Sequence, residues 1–165
     1  MSDMDMMLPL SEDHITAIGR VTAYFSMLEI IADALISDLL GLQSEEDTIS
    51  VTAHMMFSNK IQLLKTLAST RFKEDPELKA FLAGTLKEME EAKDKRNKIA
   101  HAHWYYYSPQ NNESGLLKRT ARGTLKTSLE GFTPEQINQI AKLIATTTGK
   151  VQQFLIKKNG ALHFG

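Results

Sequence analysis

The chain has 165 residues, 42% hydrophobic and 24% charged, which is the composition of an ordinary folded domain. Nineteen Lys and Arg against twenty Asp and Glu leave a net charge of -1, so the molecule is no polycation and any affinity for RNA requires a local patch. The absence of cysteine excludes disulfides and thiolate metal sites and suits a reducing cytoplasm. No apolar run reaches the ~20 residues of a membrane span, and the acidic start lacks the basic region of a signal peptide. We therefore expect one cytoplasmic domain over residues 1–165, with no membrane partner.

The first predicted helix begins after Ser11, a favourable N-cap, and ends near Gly41, where glycine favours a stop. We expect His14 in its first turn to be solvated. Apolar residues at helical spacing form its inner row: Ile18, Val21, Phe25, Leu28, Ala32, Leu35 and Leu39. Further apolar residues widen that surface: Met27, Ile30, Ile31, Ala34, Ile36 and Leu40. Such a helix is buried on more than one side, so we expect it at the centre of the fold or in a homodimer interface.

A second helix is predicted over about Ser50 to Phe72, and a third begins near Pro76. The third helix has a buried stripe at three- and four-residue spacing: Leu78, Leu82, Thr85, Met89, Ala92 and Ile99. Arg96 falls on this stripe, and a guanidinium facing a core is costly unless it is paired or reaches a cleft. Glu29 and Asp33 interrupt the apolar surface of the first helix. Either they mark its solvent edge, or Glu29 pairs with Arg96.

The segment from Trp104 to Phe132 changes from helical to strand character. Trp104 to Tyr107 favours a strand, residues 108–115 have loop composition, and apolar residues alternate from Leu125 to Leu129. We predict a β-hairpin here, bulged at Gly123. Thr133, Pro134 and Gln136 then open the last helix with a capping box. The predicted fold is all-α, an antiparallel four-helix bundle with a β-hairpin between its third and fourth helices.

The end of the third helix carries Arg96-Asn97-Lys98-Ile99-Ala100-His101, with His103 two residues further on. Four residues separate Arg96 from His101, and six separate it from His103. On a continuous helix Arg96 and His101 lie roughly 140° apart. For them to serve one site, the helix must end, bend or meet a second copy of itself. His103 shares the face of Arg96 if the helix continues, so it is a rival partner.

This arrangement resembles the motif of the HEPN superfamily, an arginine followed by four to six residues and a histidine, with a polar residue after the arginine. The resemblance implies a four-helix domain and, in catalytic members, two motifs at a homodimer cleft that cleave RNA without metal. It also implies a toxin or defence role, with a cognate antitoxin or another protein partner. Many members of the superfamily are non-catalytic binding modules.

Metal-free RNA cleavage needs few protein groups, because RNA carries its own nucleophile, the 2′-hydroxyl. Histidine suits proton transfer near neutral pH, and the guanidinium of arginine stabilises charge on the phosphate. We therefore predict Arg96 and His101 as catalytic residues, Asn97 as a residue that orients phosphate or imidazole, and Glu29 and His103 as supporting residues. The two histidines have no third metal ligand near them in sequence, so we expect neither metal nor cofactor. Alternatively, Arg96 caps carbonyls at the helix end and His101 packs on Trp104.

The predicted hairpin adds a basic patch. From Leu116 to Leu129 its charged residues are Lys118, Arg119, Arg122 and Lys126, with no acid among them. Together with the aromatic residues from Trp104 to Tyr107, they predict binding of RNA phosphates and stacking of bases. The alternative is a solvated hairpin over an aromatic core. Two functions remain open: an RNA-cleaving enzyme, or a non-catalytic helical module that binds RNA, a nucleotide or a protein.

Overall fold

The computed structural model describes residues 9–122 and 124–159, and of these the side chains of 121, 122, 124 and 159 lie outside the description. This part of the chain is mostly helical, with five helices and a small antiparallel sheet. The helices are α1 (Glu12–Leu40), α2 (Glu45–Thr52), α3 (Phe57–Arg71), α4 (Pro76–Ala100) and α5 (Pro134–Asn159). The strands are β1 (His103–Ser108), β2 (Glu113–Arg122) and β3 (Thr124–Phe132). No described helix combines the length and the apolarity needed to cross a membrane.

Local capping fixes the ends of the long helices, as the sequence predicts. The hydroxyl of Ser11 accepts from the backbone N–H of His14, and Gly41 ends α1 with a left-handed backbone at φ 71°. At α5 the Thr133 N–H donates to Gln136 Oε1 (2.8 Å) and the Gln136 N–H donates to Thr133 Oγ1 (3.2 Å), which is the predicted capping box.

The single helix predicted over about Ser50 to Phe72 is wrong, because the chain forms α2 and α3 with a break between them. Met56, just before α3, has an extended backbone with ψ 148°, which interrupts the helix. Ser44 accepts from the Asp47 N–H and caps α2, and three acids in the first turn favour this helix start.

The order of the long helices is not the simple antiparallel one that short connections predict. Arg20 near the start of α1 bonds Asn138 near the start of α5 (3.0 Å), and Asp38 near the end of α1 pairs with Lys158 near the end of α5 (2.7 Å). Hence α1 and α5 run parallel. Because α2 returns the chain along α1, an antiparallel four-helix bundle is not confirmed, whereas the mostly helical class is.

The core lies between α1, α3, α4 and α5. Helix α4 runs antiparallel to α5, since Phe81 stacks on Phe154 (6.2 Å between centroids) and Glu88 pairs with Lys150. The inner row predicted for α1 is buried from Val21 to Leu39, and Ile18 is half-buried. The α4 stripe is buried at every position from Leu82 to Ile99 except Arg96, which is half-buried.

The predicted hairpin is instead a three-stranded antiparallel sheet in the order β1-β2-β3. Its bulge lies between Trp104 and Tyr106 in β1, while Gly123 lies outside the described residues. Strand β1 pairs with β2 only from Glu113 to Leu117, but β3 pairs along β2 to Arg122. The far half of β2 and β3 is therefore a two-stranded hairpin, and no other described strand pairs with its β2 edge.

His14 is fully buried, not solvated as predicted. Its Nδ1 lies 2.7 Å from Ser11 Oγ and its Nε2 lies 2.8 Å from the carbonyl oxygen of Phe132. The ring also meets Tyr107 edge-on, with centroids 5.9 Å apart. His14 therefore joins the start of α1 to the sheet, and both ring nitrogens have partners that position it structurally.

Candidate functional site

The end of α4 separates Arg96 from His101. The helix stops at Ala100, and His101 is its C-cap residue with φ -105° and ψ 18°. The backbone N–H of His101 donates to the carbonyl oxygen of Asn97 (3.1 Å). The chain leaves the helical path at this residue and enters β1 at His103. Of the three alternatives that the motif spacing left open, the helix end is the one that occurs within this chain.

An open cleft of about 460 Å³ lies between this helix end and strand β2. It brings together five of the residues that the sequence predicted, namely Asn97, His101, His103, Lys118 and Arg119. Both histidines are exposed, as are both cations. Catalytic and RNA-binding candidates from two distant parts of the chain therefore share one cleft.

The free edge of β2 explains why two consecutive cations both reach this cleft. Successive strand residues point to opposite faces, so Lys118 and Arg119 lie on opposite faces of the hairpin. Strand β1 ends its pairing with β2 at the His103–Leu117 pair, and the cleft borders the uncovered edge beyond it. Lys126 pairs across from Thr120, further along the hairpin, and is exposed without lining the cleft. The side chain of Arg122 lies outside the described residues.

Two charged residues of α4 also line the cleft, although the sequence did not single them out. Asp94 and Lys98 precede His101 by seven and three residues, a spacing that places all three on one helix face. Asp94 pairs with Lys93 (3.0 Å), and Lys98 pairs with Glu130 (2.6 Å). This helical spacing is the signal that would have found them. Because Lys98 is neutralised by Glu130, it adds little net positive charge to the cleft.

Arg96 does not line the cleft; it faces α1. Its guanidinium carbon lies 4.9 Å from the centre of the Phe25 ring, and its Nη1 donates to Asn97 Oδ1 (3.1 Å). Its Nε is buried and has no hydrogen-bond partner among the described residues. Asn97 links the two parts of the motif, since its side chain accepts from Arg96 and also lines the cleft with His101.

No hydrogen bond or ion pair joins Glu29 to Arg96 among the described side chains, and Glu29 is half-buried one helical turn beyond Phe25. The neighbouring cations of α4 differ from Arg96 in this respect: Lys93 and Lys95 each form an ion pair with a carboxylate within 3.0 Å. Within the described part of the chain, the charge of Arg96 is met only by neutral groups. An uncompensated, half-buried cation is an attractive site for an anion. Asp33, the other acidic residue that interrupts the apolar surface of α1, pairs with Lys60 (2.6 Å).

The aromatic run from Trp104 to Tyr107 is divided between structure and surface. Trp104 is half-buried and meets Phe132 edge-on (6.3 Å between centroids), while Tyr107 contacts His14. Tyr105 is 66% exposed. Tyr106 donates to Glu113 (3.3 Å); partial desolvation, and then the charge of Glu113, raise the pKa of Tyr106. No ring contact between His101 and Trp104 occurs in the part of the chain described, so the aromatic residues support the sheet more than the cleft.

Large apolar side chains remain exposed on α1, on α2 and just before α3. Those on α1 are Tyr24, Met27 and Ile30, of which Ile30 is 70% exposed; Ile49 of α2 and Met56 are exposed as well. The face that widens α1 is therefore only partly covered within one chain. Among residues 9–122 and 124–159 no three histidine, aspartate or glutamate side chains are grouped as metal ligands.

No family model, curated protein or solved structure matches this chain significantly. The motif residues and the geometry of the cleft therefore carry what is known of a function.

Proposed function

We propose that this protein is a metal-independent endoribonuclease of the HEPN type, which cleaves RNA by attack of a 2′-hydroxyl on its own phosphate. The observation that carries the proposal is the environment of Arg96. Its half-buried guanidinium has no carboxylate partner among the described residues and is held by Phe25 and Asn97, beside a cleft that contains His101. A charge that is removed from water is costly unless it is paired, so a buried structural arginine is expected to have an acidic partner.

The reaction assigns one task to each group. The imidazole of His101 moves the proton from the 2′-hydroxyl or to the leaving 5′-oxygen, and Arg96 stabilises charge on the phosphate in the transition state. Asn97 aligns the guanidinium with the cleft through its Oδ1. His103, also in the cleft, is a supporting residue, and Lys118 and Arg119 bind flanking phosphates along the free edge of β2.

The working form in this proposal is a homodimer. Within one chain, Arg96 faces Phe25 whereas His101 opens to the cleft, so a composite site with a second copy would bring both groups to one phosphate. The exposed apolar residues Tyr24, Met27 and Ile30 of α1 support such an assembly. The proposal includes a HEPN-like arrangement of α1, α3, α4 and α5, and a toxin or defence role with a cognate protein partner.

A second function has one observation in its favour. Among the described residues of a single chain, no contact joins the side chains of Arg96 and His101, and the ring of His101 has no hydrogen-bond partner. A non-catalytic module that binds RNA, a nucleotide or a protein in the same cleft requires no such contact.

Incubation of the purified protein with mixed single-stranded RNAs and a chelator tests the proposal. We expect cleavage that leaves 2′,3′-cyclic phosphate ends and spares DNA of the same sequence, because DNA lacks the nucleophile. Cleavage that needs a metal, or that survives in the double variant Arg96→Ala, His101→Ala, contradicts the proposal. A parent protein that binds RNA without cleaving it supports the second function.

A further inference from the structure

We infer that Phe25 of α1 is the positioning residue for Arg96, an inference that rests on the proposed function of Arg96. The sequence placed Phe25 in the core and assigned the support of Arg96 to Glu29. In the fold the guanidinium carbon lies 4.9 Å from the Phe25 ring centre, within the range of a cation–π contact. The ring is only 3% exposed, so this contact is shielded from water.

An aromatic ring and a carboxylate hold an arginine with different consequences. A carboxylate would neutralise the guanidinium and compete with a phosphate for its N–H donors. The ring face attracts the cation by its quadrupole but neither neutralises its charge nor accepts a conventional hydrogen bond from its N–H donors. Phe25 thereby fixes the distance of the guanidinium from α1, and Asn97, which lines the cleft, accepts a hydrogen bond from Nη1.

Phe25 belongs to a large cluster of buried residues, so its position does not depend on Phe57 alone. Its ring meets Phe57 at the start of α3, with centroids 4.9 Å apart and planes at 63°. Phe57 is 7% exposed and makes no recorded contact with Arg96. Leucine at either position removes one member of the same aromatic pair, but only Phe25→Leu removes the ring beneath the guanidinium. Phe57→Leu is therefore a matched control for lost packing.

The direct test observes the Arg96 Nε–Hε group by NMR, with its signal assigned from its loss in Arg96→Lys. We expect Phe25→Leu to remove the ring-current shift and to speed exchange with water by about tenfold or more, whereas Phe57→Leu leaves both nearly unchanged. Placing 3,4,5-trifluorophenylalanine at position 25 keeps the shape but weakens the ring quadrupole. This variant should retain the fold and show an intermediate exchange rate. Equal effects of the two leucine variants, or no effect of the fluorinated ring, overturn the inference.

The kinetic test distinguishes a positioning role from a purely structural one. We expect Phe25→Leu to lower kcat by about fivefold with KM within about twofold, the size that corresponds to loss of a cation–π contact at a half-buried cation. In the Arg96→Ala background the same substitution should have no further effect on kcat. A loss that persists in that background contradicts the inference. If the parent cleaves no RNA, the proposed function fails, and the NMR comparison alone decides whether Phe25 holds Arg96.

Discussion

Replacing Arg96 with alanine distinguishes a functional arginine from a structural one, because the structure predicts a small effect on stability and a large effect on the cleavage rate. The substitution removes the contact with Phe25, worth about 1 kcal/mol, and the hydrogen bond to Asn97, worth about 1 kcal/mol at this exposed partner. It also removes a buried Nε–H without a partner, whose relief returns about 1–2 kcal/mol. The free energy of unfolding should therefore change by less than about 1 kcal/mol.

The cleavage rate should respond differently. Loss of a charge-stabilising donor costs about a hundredfold or more in rate. Lys95→Ala is the control, since Lys95 precedes Arg96 on α4 and pairs with Glu91 at the surface (2.8 Å). It should leave the rate within about twofold, because an exposed ion pair contributes little. Urea denaturation followed by circular dichroism gives the stability, and single-turnover cleavage of a labelled RNA gives the rate.

A buried ion pair calibrates the stability measurement. Asp33→Ala leaves the Lys60 ammonium, whose side chain is 9% exposed, without its carboxylate. Because Asp33 itself is 28% exposed, we expect a loss of about 2 kcal/mol, below the range for a fully buried pair. If Arg96→Ala costs as much as Asp33→Ala or more, Arg96 is a structural cation and the reasoning above is refuted. If the loss of cleavage rate in Arg96→Ala is fully explained by the fraction of the variant that is unfolded, Arg96 is likewise a structural cation.

The other predictions concern the cleft, the dimer and the basic edge. His101→Ala should lower the cleavage rate by about a hundredfold and His103→Ala by less, as measured by single-turnover kinetics; the reverse order would make His103 the working histidine. Ile30→Glu should shift the protein from dimer to monomer in sedimentation at micromolar concentration, while Ile156→Glu, at a residue 50% exposed on α5, should not. Lys118→Ala should weaken RNA binding and reduce the slope of log K against log salt by about 1; an unchanged slope would remove Lys118 from the interface.

Some features of the site follow from neighbouring residues alone. The end of α4 near His101, the buried stripe from Leu82 to Ile99 and the place of Arg96 on that stripe are readable from helical spacing. The cleft residues Asp94 and Lys98 are equally local, because they share a helix face with His101. The sequence analysis did not select them because it considered the residues of the motif and not the residues that share a helix face with His101.

Other features depend on contacts between distant segments. The support of Arg96 comes from Phe25 and not from Glu29, and the two differ by one turn of α1, so only the packing of α4 against α1 decides between them. Lys118 and Arg119 meet His101 because β1 leaves the edge of β2 uncovered. The pairing of three strands, where the sequence predicted two, creates that edge.

The sequence by itself determined both ends of α1 and the start of α5, since the caps at Ser11, Gly41 and Thr133 act within a few residues of the chain. Only the tertiary structure decided what surrounds each polar group. His14 looks solvated in sequence, yet it is buried because its ring bonds the carbonyl oxygen of Phe132 at the far end of the sheet. Capping is a local interaction, whereas burial depends on which segment covers a side chain, and that is fixed only when the helices pack.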